Sequence, residues 1–196
     1  KRTYTYASTY TEEQINAMTV QEEVIDDALL AVETLAKTPG IDADAIVLVG
    51  HSLGGMLAPR IAQRSGDVAG LVLLAAPTGK LLPTIERQLA YLGRSAEEIR
   101  KLTEIALADI PDSYLDLDAR YSDTATAQSL NLPMLILQGE RDYQVTMDDY
   151  RAWREAVGNR QGVVMKSYPS LNHLFMAGKG GSMPEEYQTP GHVAEE

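Results

Sequence analysis

Gly50-His51-Ser52-Leu53-Gly54 constrains the fold more than any other stretch of the chain. It follows the apolar run Ala45-Ile46-Val47-Leu48-Val49 directly and precedes a helix-compatible segment beginning near Met56. A serine between two glycines, at the junction of a strand and a helix, reads as a nucleophile elbow: a sharp, strained turn that lifts the hydroxyl clear of the sheet. The turn crowds the neighbouring backbone, so side chains at Gly50 and Gly54 are both expected to collide there. The helix points its N-terminus at the serine. Its dipole and the Leu53 N–H therefore favour an oxyanion beside Ser52.

Composition narrows the classes. At 196 residues the chain reads as one domain, long enough to bury a real core. The hydrophobic fraction is 44%, and no apolar run approaches membrane-spanning length. A net charge of −11, spread without a basic cluster, disfavours nucleic acid or an anionic membrane as the main partner. The sequence has no cysteine, which removes disulfides, thiolate catalysis and Cys-ligated metals. No metal or cofactor is expected. The chain opens without a signal-peptide pattern, and the cytoplasm is the default location.

Residues 1–18 are polar and tyrosine-rich and read as a loop. Thr19-Val20-Gln21-Glu22 offers a capping box. Val20, Val24, Ala28, Val32 and Leu35 follow at helical spacing until Pro39-Gly40 stops the helix. After the strand Ala45–Val49 and the elbow, a helix runs to about Ser65. Gly70–Ala75, Met134–Gln138 and Gly162–Lys166 are short, continuously apolar runs, as expected of strands buried on both faces of a parallel sheet. Helix-type segments separate them, so the class is α/β, a parallel sheet with flanking helices. Residues 77–131 break the rhythm, because a crossover needs only a dozen residues or a little more. Helical patterns at Leu81–Leu92 and Ala96–Ala108, the second opened by Ser95-Ala96-Glu97-Glu98, make this segment an expected cap over the carboxyl ends of the strands.

A serine needs a base, and the base an orienting carboxylate. The chain has three histidines. His51 is expected to line the elbow, and His192 lies in the polar tail Thr189-Pro190-Gly191-His192. His173, in Tyr168-Pro169-Ser170-Leu171-Asn172-His173, follows the last strand and is the expected base. The strand ending at Gln138 leads into Gly139-Glu140-Arg141-Asp142, which offers two acids. Glu140 could pair locally with Arg141, whereas Asp142 sits further into the loop, where it can reach His173. The order Ser52, Asp142, His173 is the one a hydrolase sheet produces.

These three motifs resemble the α/β-hydrolase superfamily, in its bacterial esterase and prolyl-oligopeptidase-like (dienelactone-hydrolase-like) branch. The residues carrying the resemblance are Gly50–Gly55, Gln138–Val145 and Tyr168–Phe175, and it spans nearly the whole chain. It implies cleavage of small carboxylic esters through an acyl-enzyme, with Ser52, Asp142 and His173 catalytic and Leu53, Gly50 and Gly54 forming the oxyanion elbow. His51 and Tyr143 are then expected on the substrate side. The neighbouring activity is that of a serine aminopeptidase or acyl-peptide hydrolase. The resemblance also implies that this chain supplies the equivalents of strands 5–8, without the N-terminal half that carries the second oxyanion donor. A bare sheet edge at Ala45–Val49 then predicts a homo-oligomer or a missing N-terminal polypeptide as partner. A half-hydrolase acting as a binding or assembly module is the reading from another class.

Overall fold

In a computed structural model, which describes residues 6–108 and 121–195, the chain divides into two compact units. One comprises the described residues of Lys1–Ala43 and Lys80–Tyr121; the other comprises Asp44–Gly79 and Ser122–Glu196.

The first unit is helical. Helix α1 (Glu12–Ala17) is opened by a capping box in which Thr11 Oγ1 accepts from the Gln14 N–H and the Gln14 side chain accepts from the Thr11 N–H. The loop expected over 1–18 is therefore corrected. The helix buries no side chain, so it has no apolar stripe to betray it, and its cap satisfies donors that helix geometry leaves open. At Thr19 half of the expected box forms: Glu22 accepts from the Thr19 N–H and hydroxyl, while the Thr19 hydroxyl accepts from the Gln21 N–H at 3.1 Å rather than from that of Glu22. One π turn (Gln21–Ile25) then runs into α2 (Asp26–Ala36), with Ile25 and Val32 buried. Helices α4 (Leu81–Tyr91) and α5 (Ala96–Ala108) pack together, and Ser95 and Glu98 cap the second reciprocally.

The second unit is a four-stranded parallel sheet in the order β1-β2-β3-β4, formed by β1 (Val47–His51), β2 (Gly70–Leu74), β3 (Met134–Gly139) and β4 (Val163–Tyr168). Helix α3 (Leu53–Ser65) lies on β1 and β2 and packs against α6 (Asp123–Ser129), which meets α7 (Met147–Val157). The central strand β2 is continuously apolar and β3 is so up to Gln138, and both are largely buried, as expected for parallel strands covered on both faces. At the edges this expectation fails. Val47, Val49 and Val164 are all about half exposed or more, and they lie on β1 and β4, the two edge strands of the sheet. The first strand also lies two residues later than expected. Ala43–Ala45 forms a 3₁₀ turn, and the ladder continues through Gly50 and His51 into the elbow.

Part of the 77–131 segment belongs with the sheet. Arg60 of α3 pairs with Asp123 of α6 at 3.2 Å. Arg160 donates to the carbonyls of Ala127, Leu130 and Leu132, which terminate α6. Lys80 Nζ donates to the Tyr121 carbonyl, so the residue before α4 lies beside Tyr121. Among the described residues no helix is long and apolar enough to cross a membrane.

Candidate active site

The four strands run parallel, so their carboxyl ends share one edge of the sheet, where open α/β sheets place their sites. Ser52 follows β1 directly with φ 54° and ψ −122°. A non-glycine residue rarely adopts that conformation, which costs about 1–3 kcal/mol and persists only where the surroundings impose it. Here they do. The Ser52 N–H donates to the Leu74 carbonyl at 2.8 Å, and the Ser52 carbonyl accepts from the Met56 N–H at 3.0 Å. The turn is pinned to β2 on one side and to α3 on the other.

The glycine requirement is only partly as expected. A Cβ at Gly50 would stand 2.3 Å from the Gly54 carbonyl oxygen, a contact no side chain tolerates. At Gly54 itself a Cβ meets nothing within 4 Å, so the expected collision there is corrected. The second tight position is Gly55, where a Cβ would lie 2.9 Å from both the Ala76 methyl and the Gly50 carbonyl oxygen. The reason is geometric: residue 54 is already on the first turn of α3 and faces outward, while residue 55 faces the strand. Leu53, the first residue of α3, offers an N–H with no intrahelical acceptor.

Asp142 and His173 come together. His173 Nδ1 donates to Asp142 Oδ2 at 2.7 Å, and both side chains are almost fully buried. The other oxygen of Asp142 accepts from the backbone N–H groups of Gln144 (2.8 Å) and Val145 (3.0 Å). Buried Gln138 adds a longer bond of 3.3 Å to Oδ2 while also donating to the Val145 carbonyl. The carboxylate is thus fixed, and it fixes the Nδ1–H tautomer of His173, leaving Nε2 as the basic nitrogen. Glu140 faces elsewhere, accepting from Ser167 Oγ at 2.7 Å. Arg141 pairs with Glu186 rather than Glu140.

His51 takes a specific place. Its Nε2–H donates to the His173 carbonyl at 2.8 Å, and the two rings lie 4.7 Å apart and tilted. The residue before the serine therefore ties the elbow to the His173 loop. Ser52 Oγ makes no hydrogen bond among the described residues, and such contacts are often loose until substrate arrives. Tyr143 is buried. His192 is exposed, donating from Nδ1 to the Val193 carbonyl, although the tail around it is anchored by the Ala194 N–H on the Phe175 carbonyl.

A shell behind the pair has no motif in the sequence. Asn172 is 1% exposed, and its Oδ1 accepts from the Leu174 and Met176 N–H groups. Its Nδ2 donates to Glu186 Oε2 at 3.1 Å, and Arg141 Nη2 donates to Glu186 Oε1 at 2.6 Å. Burial acts to raise the Glu186 carboxyl pKa, but the hydrogen bonds from Arg141 and Asn172 and the Arg141 charge outweigh it and hold the group below the ordinary carboxylate value. Burial pushes the Tyr187 phenol up, against a hydrogen bond from Gln144. Among the described residues no cluster of three or more His, Asp or Glu side chains is placed to hold a metal ion.

The sequence pattern of the alpha/beta hydrolase family matches residues 6–189, and the chain belongs to that family. Within it, the chain is similar to the esterase EstD of Thermotoga maritima, 38% identical over 191 residues covering 90% of this chain and 46% of that protein. It resembles in fold a solved esterase from Pyrococcus furiosus, with a TM-score of 0.57 at 18% identity over 76% of this chain and 54% of that one. A similar likeness holds for the acylaminoacyl peptidase of Pyrococcus horikoshii, at TM-score 0.58 and 16% identity over 84% of this chain and 26% of that one. The chain thus spans about half the length of the esterases it matches, or less.

Proposed function

We propose that this chain carries the catalytic triad of a serine hydrolase acting on small carboxylic esters. The observation that carries the reading is the buried Asp142–His173 pair at the same sheet edge as a strained Ser52 that caps a helix. In this mechanism Ser52 Oγ attacks the ester carbonyl carbon while His173 Nε2 takes its proton. The Leu53 N–H and the α3 dipole stabilise the tetrahedral oxyanion. Collapse expels the alkoxide, protonated by His173, and leaves the acyl group on Ser52. Water, deprotonated by the same imidazole, then releases the acid. Asp142 holds the imidazolium in register and keeps its charge matched. His51 and Tyr143 are assigned to the substrate side of this machinery, and the helical cap that selects the acyl chain is assigned to the part of residues 77–131 outside α6, which packs on α3 and α7.

An ester is favoured over a peptide substrate because the 38% identical relative is an esterase, whereas the likeness to the peptidase, at 16% identity, speaks for the fold alone. Kinetics on p-nitrophenyl acetate test the reading. Ser52→Ala should lower kcat by roughly 10³-fold or more with little change in KM. Undiminished turnover in that variant removes the proposal.

A further inference from the structure

Glu186 lies 45 residues beyond Arg141, on a 3₁₀ turn (Pro184–Gln188) that holds no triad residue. One carboxylate oxygen takes the guanidinium of the residue before Asp142; the other takes the amide of the residue before His173. We infer that Glu186 is a positioning residue, a clamp that holds the acid loop and the base loop in the register their hydrogen bond requires. The inference rests on the proposed hydrolase reading.

The geometry leaves the clamp little slack. Arg141 is buried, and its guanidinium also donates to the carbonyls of Gly180 (2.7 Å) and Lys179 (3.2 Å), so it cannot swing away to follow another acid. A Cβ at Gly178 would sit 2.1 Å from Arg141 Nη1, so the segment wraps the guanidinium closely. Behind Asp142, a Cβ at Gly139 would be 2.5 Å from the Leu171 carbonyl oxygen and 2.7 Å from that of Asn172. The two loops are therefore already in backbone contact. The Arg141 N–H donates to the Leu171 carbonyl at 3.0 Å. Asn172 cannot turn its amide over, because Oδ1 is committed to two backbone N–H groups and a flip would set NH₂ against them. Nδ2 must face Glu186, and only an acceptor fits there. Holding a base within a few tenths of an ångström of its acid is the kind of support that supporting residues supply to reacting groups.

Two substitutions and their combination test this. Glu186→Gln can accept from Arg141 or from Asn172 but not both, since its NH₂ then faces a donor. Asn172→Asp keeps the two backbone bonds yet sets a carboxylate against Glu186. Together they exchange the polarity of the contact: the new amide at 186 accepts from Arg141 and donates to the new carboxylate at 172. Each single variant should lower kcat on p-nitrophenyl acetate about tenfold per titrated active site, with KM unchanged. The double variant should recover most of the loss.

The low-field proton resonance of His173 Nδ1–H, read on the full chain, should broaden in the singles and return in the double whether or not the ester is cleaved. Singles with wild-type kcat and an unchanged resonance overturn the clamp. So does a double variant no better than the worse single. Absence of Ser52-dependent turnover in the wild type would instead count against the hydrolase reading, and the resonance would still decide the clamp.

Discussion

Gly50 and Gly54 flank the same serine and make opposite demands. An alanine methyl at 50 strikes backbone, the Gly54 carbonyl at 2.3 Å, and backbone cannot rotate away as a side chain can. Gly50→Ala should therefore cost at least the ~1–3 kcal/mol of an overpacked core position and distort the turn that presents Ser52. Gly54→Ala enters open space on a helix and should gain up to about 1 kcal/mol from the better helix former. Thermal melts of the two variants check this, and equal effects would contradict the elbow geometry. Asp142→Asn keeps the shape but lets His173 adopt the wrong tautomer; kcat should fall by about 10³–10⁴-fold, measurable in the same ester assay. Glu186 adds a pH signature. Its carboxyl pKa is lowered from the ordinary 4.5 in the folded chain, so it stabilises the fold above the unfolded value and loses that contribution as pH falls through the folded one. Urea midpoints of wild type and Glu186→Gln should converge on acidification, and a gap that widens contradicts the assignment.

Between residues and fold, the loops after β2 and β3 are joined by α7. Asp149 is 2% exposed, and its carboxylate accepts from the Thr78 N–H (2.9 Å) and hydroxyl (3.1 Å) on one oxygen and from the Thr146 N–H (2.9 Å) on the other. It caps α7 and anchors the segment leaving β2 at once, while Trp153 Nε1–H holds the Ala76 carbonyl at 2.9 Å. Asp149→Ala strands two part-buried backbone donors and should cost about 2 kcal/mol in urea unfolding; a cost below ~1 kcal/mol would show the anchor to be dispensable. The same elements show why some structure was legible in the sequence and some was not. Buried runs such as Leu71–Leu74 carry their own signal, since both faces need apolar side chains. Helix α1 carries none, as it buries nothing and rests on the cap at Thr11. The Asp142–His173 contact could be read from loop position and chain order, and the proposed role of Ser52 rests on the same reading. Gln138, Asn172 and Glu186 could not, because their partners are chosen by tertiary proximity and no periodicity marks them. The nearest hint was adjacency: Arg141 precedes the acid and Asn172 precedes the base.

At the scale of the whole molecule, β1 is an edge strand with Val47 and Val49 49% and 66% exposed, and it carries no Lys or Pro to discourage pairing. The chain is expected to self-associate through this edge, and Val49→Lys should shift its sedimentation toward monomer. A wild-type chain that sediments as a monomer at all concentrations would contradict that expectation. Because Lys80 reaches the Tyr121 carbonyl, residues 81–120 can be replaced by a short Gly-Ser linker. That deletion should alter the ratio of acetate to octanoate ester hydrolysis more than it alters reaction at Ser52. Above all stands the claim that Ser52 is an activated nucleophile, which a fluorophosphonate probe reads directly. Intact mass and peptide mapping of the treated chain should show one phosphonyl adduct on Ser52, absent in Ser52→Ala and much slower to form in Asp142→Asn. A chain that stays unlabelled, or is labelled elsewhere, would contradict the account.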